Sequence, residues 1–190
     1  RVDSPRRRAA RTVLDELFSC LTAWLAPILC FTAEEAWLVR YPGAESSVHL
    51  CQFPALPPEW RDDGLVAKWQ TIRRLRRVIT GALEVERRAK RIGSSLQAHP
   101  EVYAGADYVA ALDGESLAEI AITSGVTLIE EAPPEGAFAL DDVPGVGVVA
   151  GRAEGTRCAR CWQVLAEVGE QPGSPDLCRR CVDAVENAPG

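Results

Sequence analysis

Two cysteine pairs, Cys158-Ala-Arg-Cys161 and Cys178-Arg-Arg-Cys181, stand sixteen residues apart near the end of the chain. Two soft thiolates two residues apart grip one tetrahedral ion from a tight turn, and a second such turn supplies the other two bonds. This spacing predicts a small zinc-centred module in which Cys158, Cys161, Cys178 and Cys181 hold one ion. Because protein fills all four positions, the metal is expected to be structural and to leave no open site for catalysis. The doubling also argues against a redox CxxC pair, which normally stands alone at a strand–helix junction.

The other three cysteines, Cys20, Cys30 and Cys51, are scattered and odd in number. With nothing that resembles a signal peptide, they predict buried free thiols in a reducing cytosol. The apolar run from Leu17 to Phe31 contains Pro27 and is too short for a bilayer span, so it reads as a core helix. The chain begins with Arg1 and has no methionine in 190 residues, which reads as a fragment cut from a longer protein.

Net charge is −6, which taken alone argues against nucleic acid, but the average conceals a division. Residues 61–91 carry ten Arg/Lys against four Asp/Glu, whereas residues 92–155 carry one against eleven. A basic helix beside an acidic module is the expected arrangement.

Helical periodicity from residue 4 to about 27 places Val13, Leu17, Leu21, Trp24 and Ile28 on one face, opened by Ser4-Pro5 and ended by Pro27. Thr32-Ala-Glu-Glu35 predicts a capping box for a short helix ending near Arg40. A long helix is expected from about Asp62 to Arg91. Its apolar stripe (Ile72, Leu75, Val78, Ile79, Ala82, Leu83) would pack on the first helix. Arg73, Arg76, Arg77, Arg87, Arg88 and Arg91 would face outward, interrupted by Glu84. Such a face is commonly just solvated. Arginine forks match phosphate oxygens, however, and six arginines with few balancing acids make the stripe a candidate nucleic-acid contact. Residues 101–151 read as a small α+β module without a catalytic motif: strand-like Tyr108–Leu112, a helix from Glu115 to about Ser124, then strands Val126–Glu130 and Val146–Ala150.

Four thiolates around one zinc ion carry a formal −2, which Arg157, Arg160, Arg179 and Arg180 are placed to offset. Arg160, between two ligands on a rigid turn, is favoured to reach phosphates or base edges as well. Trp162 either covers the metal site or offers a stacking platform to an unpaired base, a contact worth roughly 1–3 kcal/mol. His49 and His99 have no acidic or nucleophilic neighbours in a recognisable pattern, and Glu34-Glu35 read as favourable charge at a helix start. There is no Gly-rich phosphate loop and no nucleophile–base pair.

Several segments carry a family resemblance. Leu25-Ala-Pro-Ile-Leu-Cys-Phe-Thr-Ala-Glu-Glu-Ala-Trp37 resembles the helix-turn motif of the anticodon-binding domain in class I synthetases for branched aliphatic amino acids. Ser47-Val-His-Leu-Cys-Gln-Phe-Pro54 and Glu84-Val-Glu-Arg-Arg-Ala-Lys-Arg-Ile-Gly-Ser-Ser-Leu96 are similar to later blocks. Glu154-Gly-Thr-Arg-Cys-Ala-Arg-Cys-Trp162 is similar to the start of the terminal zinc module. Together they resemble the C-terminal part of bacterial isoleucyl-tRNA synthetases, weakest across 101–150.

The resemblance implies a multi-domain arrangement: the C-terminal part of an α-helical anticodon-binding bundle (1–98), the acidic α+β module (99–152) and a four-cysteine zinc finger (153–190). It implies a cytoplasmic, monomeric parent that charges isoleucine tRNA using ATP and Mg in a catalytic domain absent here, since the "HIGH"- and "KMSKS"-type signatures are missing. This chain would bind tRNA and catalyse nothing by itself, with upstream helices covering the apolar face of residues 1–26. Anticodon recognition would rest on Arg160 and Trp162, with the arginine helix attracting phosphates. Rival readings are the same role in a valyl- or leucyl-tRNA synthetase, a DNA-repair glycosylase-type zinc finger, and a purely structural zinc ribbon.

Overall fold

A computed structural model describes residues 4–187 of the chain, a helix-rich arrangement with two small sheets. Residues 1–3 and 188–190, the ends of the expected 1–98 and 153–190 segments, lie outside the described residues. The chain forms two compact units, Arg1–Arg61 with Asn187–Gly190, and Asp62–Glu186. No described helix is long and apolar enough to cross a membrane.

In the first unit, helix α1 (Pro5–Leu25) begins with proline at its first turn and meets α2 (Cys30–Arg40) through the turn that contains Pro27. The capping box expected at Thr32 does not form. Helix α2 starts three residues earlier, with Leu29 at the cap and no side-chain cap bond. Glu34 instead accepts hydrogen bonds from Ser47 Oγ (3.0 Å) and Val48 N (2.9 Å), tying the 3-10 turn Val48–Leu50 to α2. A small core of Ala26, Ala33 and Val48 packs with Trp37, whose ring lies 4.5 Å from that of Tyr41 and 6.4 Å from that of Phe18. The apolar stripe of α1 stays exposed, with Val13 58%, Leu17 48%, Leu21 49% and Trp24 42% accessible, and Ile28 in the following turn is exposed too. Of the three scattered thiols expected to be buried, Cys20 is buried. Cys30 and Cys51 are exposed, because this unit has too little core to enclose them.

The second unit is built on α3 (Asp63–Arg88), capped by the Asp62 carboxylate, which accepts from Leu65 N at 2.8 Å. Ala89 caps its end and Lys90 turns left-handed (φ 58°), so Arg91 falls beyond the helix rather than on it. The six apolar residues read from periodicity are the six that α3 buries. Their partner differs from expectation. The stripe joins one core with residues of 92–148, including Val102, Leu112, Leu117, Val146 and Val148, so the α+β segment covers it. Phe138 packs on the middle of α3. A Cβ on Gly81 would stand 2.7 Å from its ring, so glycine is kept there despite its poor helix propensity.

That segment holds a three-stranded sheet in the order β2-β1-β3: β1 (Glu101–Tyr103), β2 (Thr127–Ile129, parallel to β1) and β3 (Gly147–Val149, antiparallel to β1). The expected strand at Tyr108–Leu112 is instead helix α4 (Ala106–Ala111); a short apolar run does not distinguish strand from helix, and three alanines follow Gly105 here. The expected helix near 115–124 is the shorter α5 (Leu117–Ala121), capped by Ser116. The expected strands at Val126–Glu130 and Val146–Ala150 correspond to β2 and β3, whereas strand β1 was not expected.

Candidate metal centre and nucleic-acid interface

Strands β4 (Thr156–Arg157) and β5 (Val164–Leu165) form an antiparallel hairpin whose tip is the first cysteine pair. Cys158 N donates to Gln163 O at 2.9 Å and Trp162 N to Cys158 O at 3.0 Å, closing the turn. The second pair opens α6 (Arg179–Glu186): Cys178 precedes it and Cys181 lies in its first turn. Cys178 N donates to Cys158 Sγ at 3.3 Å, and Ala159 N to Asp176 O at 2.9 Å, joining the two turns.

The four sulfurs lie within 4.8 Å of one another. A tetrahedral ion with Zn–S bonds of about 2.3 Å separates its sulfurs by about 3.8 Å; Cys161 Sγ and Cys178 Sγ are 3.7 Å apart. Cys158, Cys178 and Cys181 are fully buried and Val168, Leu165 and Leu177 pack around them. The cluster therefore suits a tetrahedral thiolate-binding ion in both spacing and enclosure. Burial pushes Cys178 up to about 12. Burial also opposes ionisation of Cys158, but N–H donors of Cys161, Cys178 and Arg160 outweigh it and bring this thiol down to about 6.

Of the four arginines near the cysteines, two face sulfur. Arg160 Nη1 lies 3.6 Å from Cys181 Sγ, and the Cys161 sulfur raises the Arg180 guanidinium further. Arg179 instead pairs with Glu167 and Glu170, and Arg157 is exposed on β4. Trp162 does not cover the cysteines. It is 61% exposed, its indole N–H has no partner among the described residues, and its backbone is left-handed at φ 66°. Such a backbone costs a non-glycine residue of order 1–3 kcal/mol.

Sequence reading missed the joint that seats this module on the α+β segment. Ser124 Oγ donates to Leu96 O and accepts from Val164 N at 2.7 Å, while Gln163 Nε2 donates to Thr123 O at 3.4 Å and Arg180 Nη2 to Gln163 Oε1 at 3.2 Å. Ser124 and Gln163 are isolated polar side chains in loops that no spacing rule marks, while Arg180 reaches Gln163 from α6. Through this joint the knuckles and α3 belong to one compact unit. Gly155 (φ 114°) opens the hairpin where a Cβ would stand 2.3 Å from the Leu165 carbonyl carbon. Gly155→Ala is expected to cost at least about 2 kcal/mol, read as a lower melting temperature of the zinc-loaded chain.

On α3, Arg73 is exposed and without a partner among the described residues. The other candidates are engaged: Arg76 Nε donates to Ile120 O (2.9 Å), Arg77 pairs with Asp142, Arg87 and Arg88 both pair with Glu84, and Arg91 holds Glu86 at 2.6 Å. Hydrogen bonding to Arg87 keeps the Glu84 carboxylate below its ordinary range. Exposed pairs of this kind are worth at most about 1 kcal/mol, so a phosphate can displace the carboxylate. His49 and His99 serve the fold, with Nε2 3.2 Å from Cys30 O and Thr127 Oγ1 respectively.

A family model described as "Anticodon-binding domain of tRNA ligase" matches residues 1–102. Over 183 residues the chain is 54% identical to the isoleucine–tRNA ligase of Agrobacterium fabrum, covering 96% of this chain and 19% of that protein. It is 52% identical to that of Bradyrhizobium diazoefficiens (96% and 18%) and 53% identical to that of Brucella abortus (96% and 19%). The chain thus spans about a fifth of the length of the curated relatives it matches. With more than half of its residues inside the family match, it belongs to the anticodon-binding domain family of tRNA ligases.

Proposed function

We propose that this chain is the tRNA-binding part of an isoleucine–tRNA ligase and holds the anticodon stem and loop while the rest of the enzyme, with ATP and Mg, charges the tRNA. Cys158, Cys161, Cys178 and Cys181 bind one structural zinc ion, making residues 153–190 a zinc finger beside the 1–98 and 99–152 segments. Arg160 and Trp162 face the unpaired loop. Arg73, Arg76, Arg77, Arg87, Arg88 and Arg91 supply phosphate attraction. The reading carries with it a cytoplasmic, monomeric parent, and the exposed stripe of α1 suits a bundle whose other helices lie in the longer protein.

One observation carries the proposal. A tryptophan stands exposed, in a costly backbone conformation, on a cysteine turn in the same compact unit as the arginine helix. A residue kept there for packing alone would be enclosed or replaced by glycine. An aromatic face on a rigid turn beside cations is what a splayed-out base stacks on. The named relatives favour isoleucine over valine or leucine, and a tRNA ligase over a repair glycosylase.

The test is binding of zinc-loaded and chelated chain to isoleucine tRNA and a non-cognate tRNA. Cognate-selective binding that falls on chelation is expected; weak, unselective binding indifferent to zinc would sink the reading. Affinity should also fall with salt, and Arg73→Gln should weaken all tRNAs alike while reducing the log–log salt slope by about 1. An unchanged slope would remove Arg73 from the interface.

A further inference from the structure

Beyond the knuckle, a cavity of about 220 Å³ opens between α3, α5 and the chain around Ile92. Its lining includes Leu83, Ile92 and Ala121, all nearly inaccessible, with Ile122 beside them. Arg76, Arg87 and Glu84 also line it. The cavity is smaller than the roughly 300–1,000 Å³ usual for drug-sized ligands and of mixed character, with Arg76, Thr80, Glu84, Arg87 and Ser95 facing an apolar side of Leu83, Ile92, Ala121 and Ile122. Those groups are partly set in advance, since Arg76 is fixed to Ile120 O and Arg87 to Glu84. The set suits a planar heterocycle on an anionic strand: an apolar seat for the ring, guanidinium planes for stacking or phosphate contact, and a carboxylate to accept from ring or exocyclic N–H.

Ile122 provides an independent argument. It ends α5 in the left-handed region at φ 58° and ψ 50°, a position that glycine or asparagine normally takes. For a β-branched residue this is a true outlier. The strain is not offset by burial, because the side chain remains 54% exposed at the cavity. Strained residues of this kind cluster where ligands are held. Ile122 also adjoins the tryptophan turn: its neighbour Thr123 accepts a hydrogen bond from Gln163, the neighbour of Trp162. Two exposed apolar side chains in left-handed backbone thus flank one hydrogen-bonded joint.

We propose that this cavity receives one unpaired nucleobase of the bound RNA, a neighbour of the base that faces Trp162, with Ile122 packing on its ring. The proposal rests on the tRNA-binding reading above. It specifies a second base-binding position, formed by α3 and α5 rather than by the cysteine turns.

The experiment uses the full zinc-loaded chain and fluorescently labelled isoleucine tRNA, intact or with a single abasic site at each anticodon-loop position in turn. Ile122→Gly and Ile122→Asn both accept left-handed backbone. Each is expected to melt at or above the wild-type temperature and to bind intact tRNA at least about fivefold more weakly. At one loop position the abasic substitution should weaken the wild type but cost the variants nothing further. Wild-type binding with unchanged variant affinities, or abasic penalties that persist in full at every position, would overturn the cavity. Lower melting temperatures in both variants would make Ile122 a fold residue and overturn it equally. Failure of the wild type to bind tRNA would overturn the tRNA reading and this proposal with it.

Discussion

Cys178→Ser is expected to abolish stoichiometric zinc binding and to unfold the hairpin and helix of residues 156–186, while the core around α3 persists. Cys178 is fully buried, and the core of this module is little more than the ligands themselves: Cys158, Cys178 and Cys181 with Val168. An assembly so small lacks the apolar area to hold itself together without a metal at its cysteines. Apparent binding free energies of structural zinc, about 10–16 kcal/mol near neutral pH, match or exceed the roughly 5–15 kcal/mol that stabilises a whole domain. Removing one ligand therefore outweighs anything else in the module. The core that includes Ile72, Leu75, Val102 and Val148 is separate from the cysteine cluster, so its amides should keep their protection from hydrogen exchange. Metal analysis and hydrogen exchange check both halves, and a variant that keeps one zinc per chain with protected 156–186 amides would refute the assignment. Because zinc replaces protons on thiols, affinity should fall as pH falls, and a thiol pushed up to about 12 is one of those that surrender a proton on binding.

Trp162→Gly should move stability and RNA binding in opposite directions. Glycine accepts φ 66° freely, so the strain of order 1–3 kcal/mol at this position is relieved. Little packing is lost, since the ring is mostly exposed and Val168, Leu165 and Leu177 enclose the cysteines. Removing a stacked base contact, worth roughly 1–3 kcal/mol, weakens binding by about 5- to 150-fold. The zinc-loaded melting temperature should hold or rise while cognate tRNA affinity drops. Trp162→Phe, which keeps an aromatic face, should recover part of the affinity. If Trp162→Gly instead loses zinc or melts early, the ring is a cover for the metal site and not a platform.

The cysteine cluster was legible because ligand spacing is a local property: two turns of fixed geometry, placed at a common separation, bring four sulfurs together. The buried stripe of α3 was legible for the same reason, since helical period alone places Ile72, Leu75, Val78, Ile79, Ala82 and Leu83 on one side. What covers that stripe was not. Helix α1 and the 101–150 segment both offer apolar residues, and amphipathicity names a face without naming its partner. The arginines were visible as charges, but their occupation by Asp142, Glu84 and Glu86 depends on side-chain reach. Neither left-handed backbone, at Ile122 or at Trp162, is announced by residue type, because both residues disfavour it.

The sequence by itself determined the four-cysteine cluster, the buried face of α3 and the family, all of which follow from residue types at short, fixed separations. Only the tertiary structure decided that α3 shares one core with the small sheet, that Ser124 and Gln163 seat the cysteine turns on that unit, and that Ile122 and Trp162 are held exposed at a cost. The physical reason is that packing partners, hydrogen-bond joints and strain depend on groups far apart in the chain, whose meeting depends on how the whole chain folds.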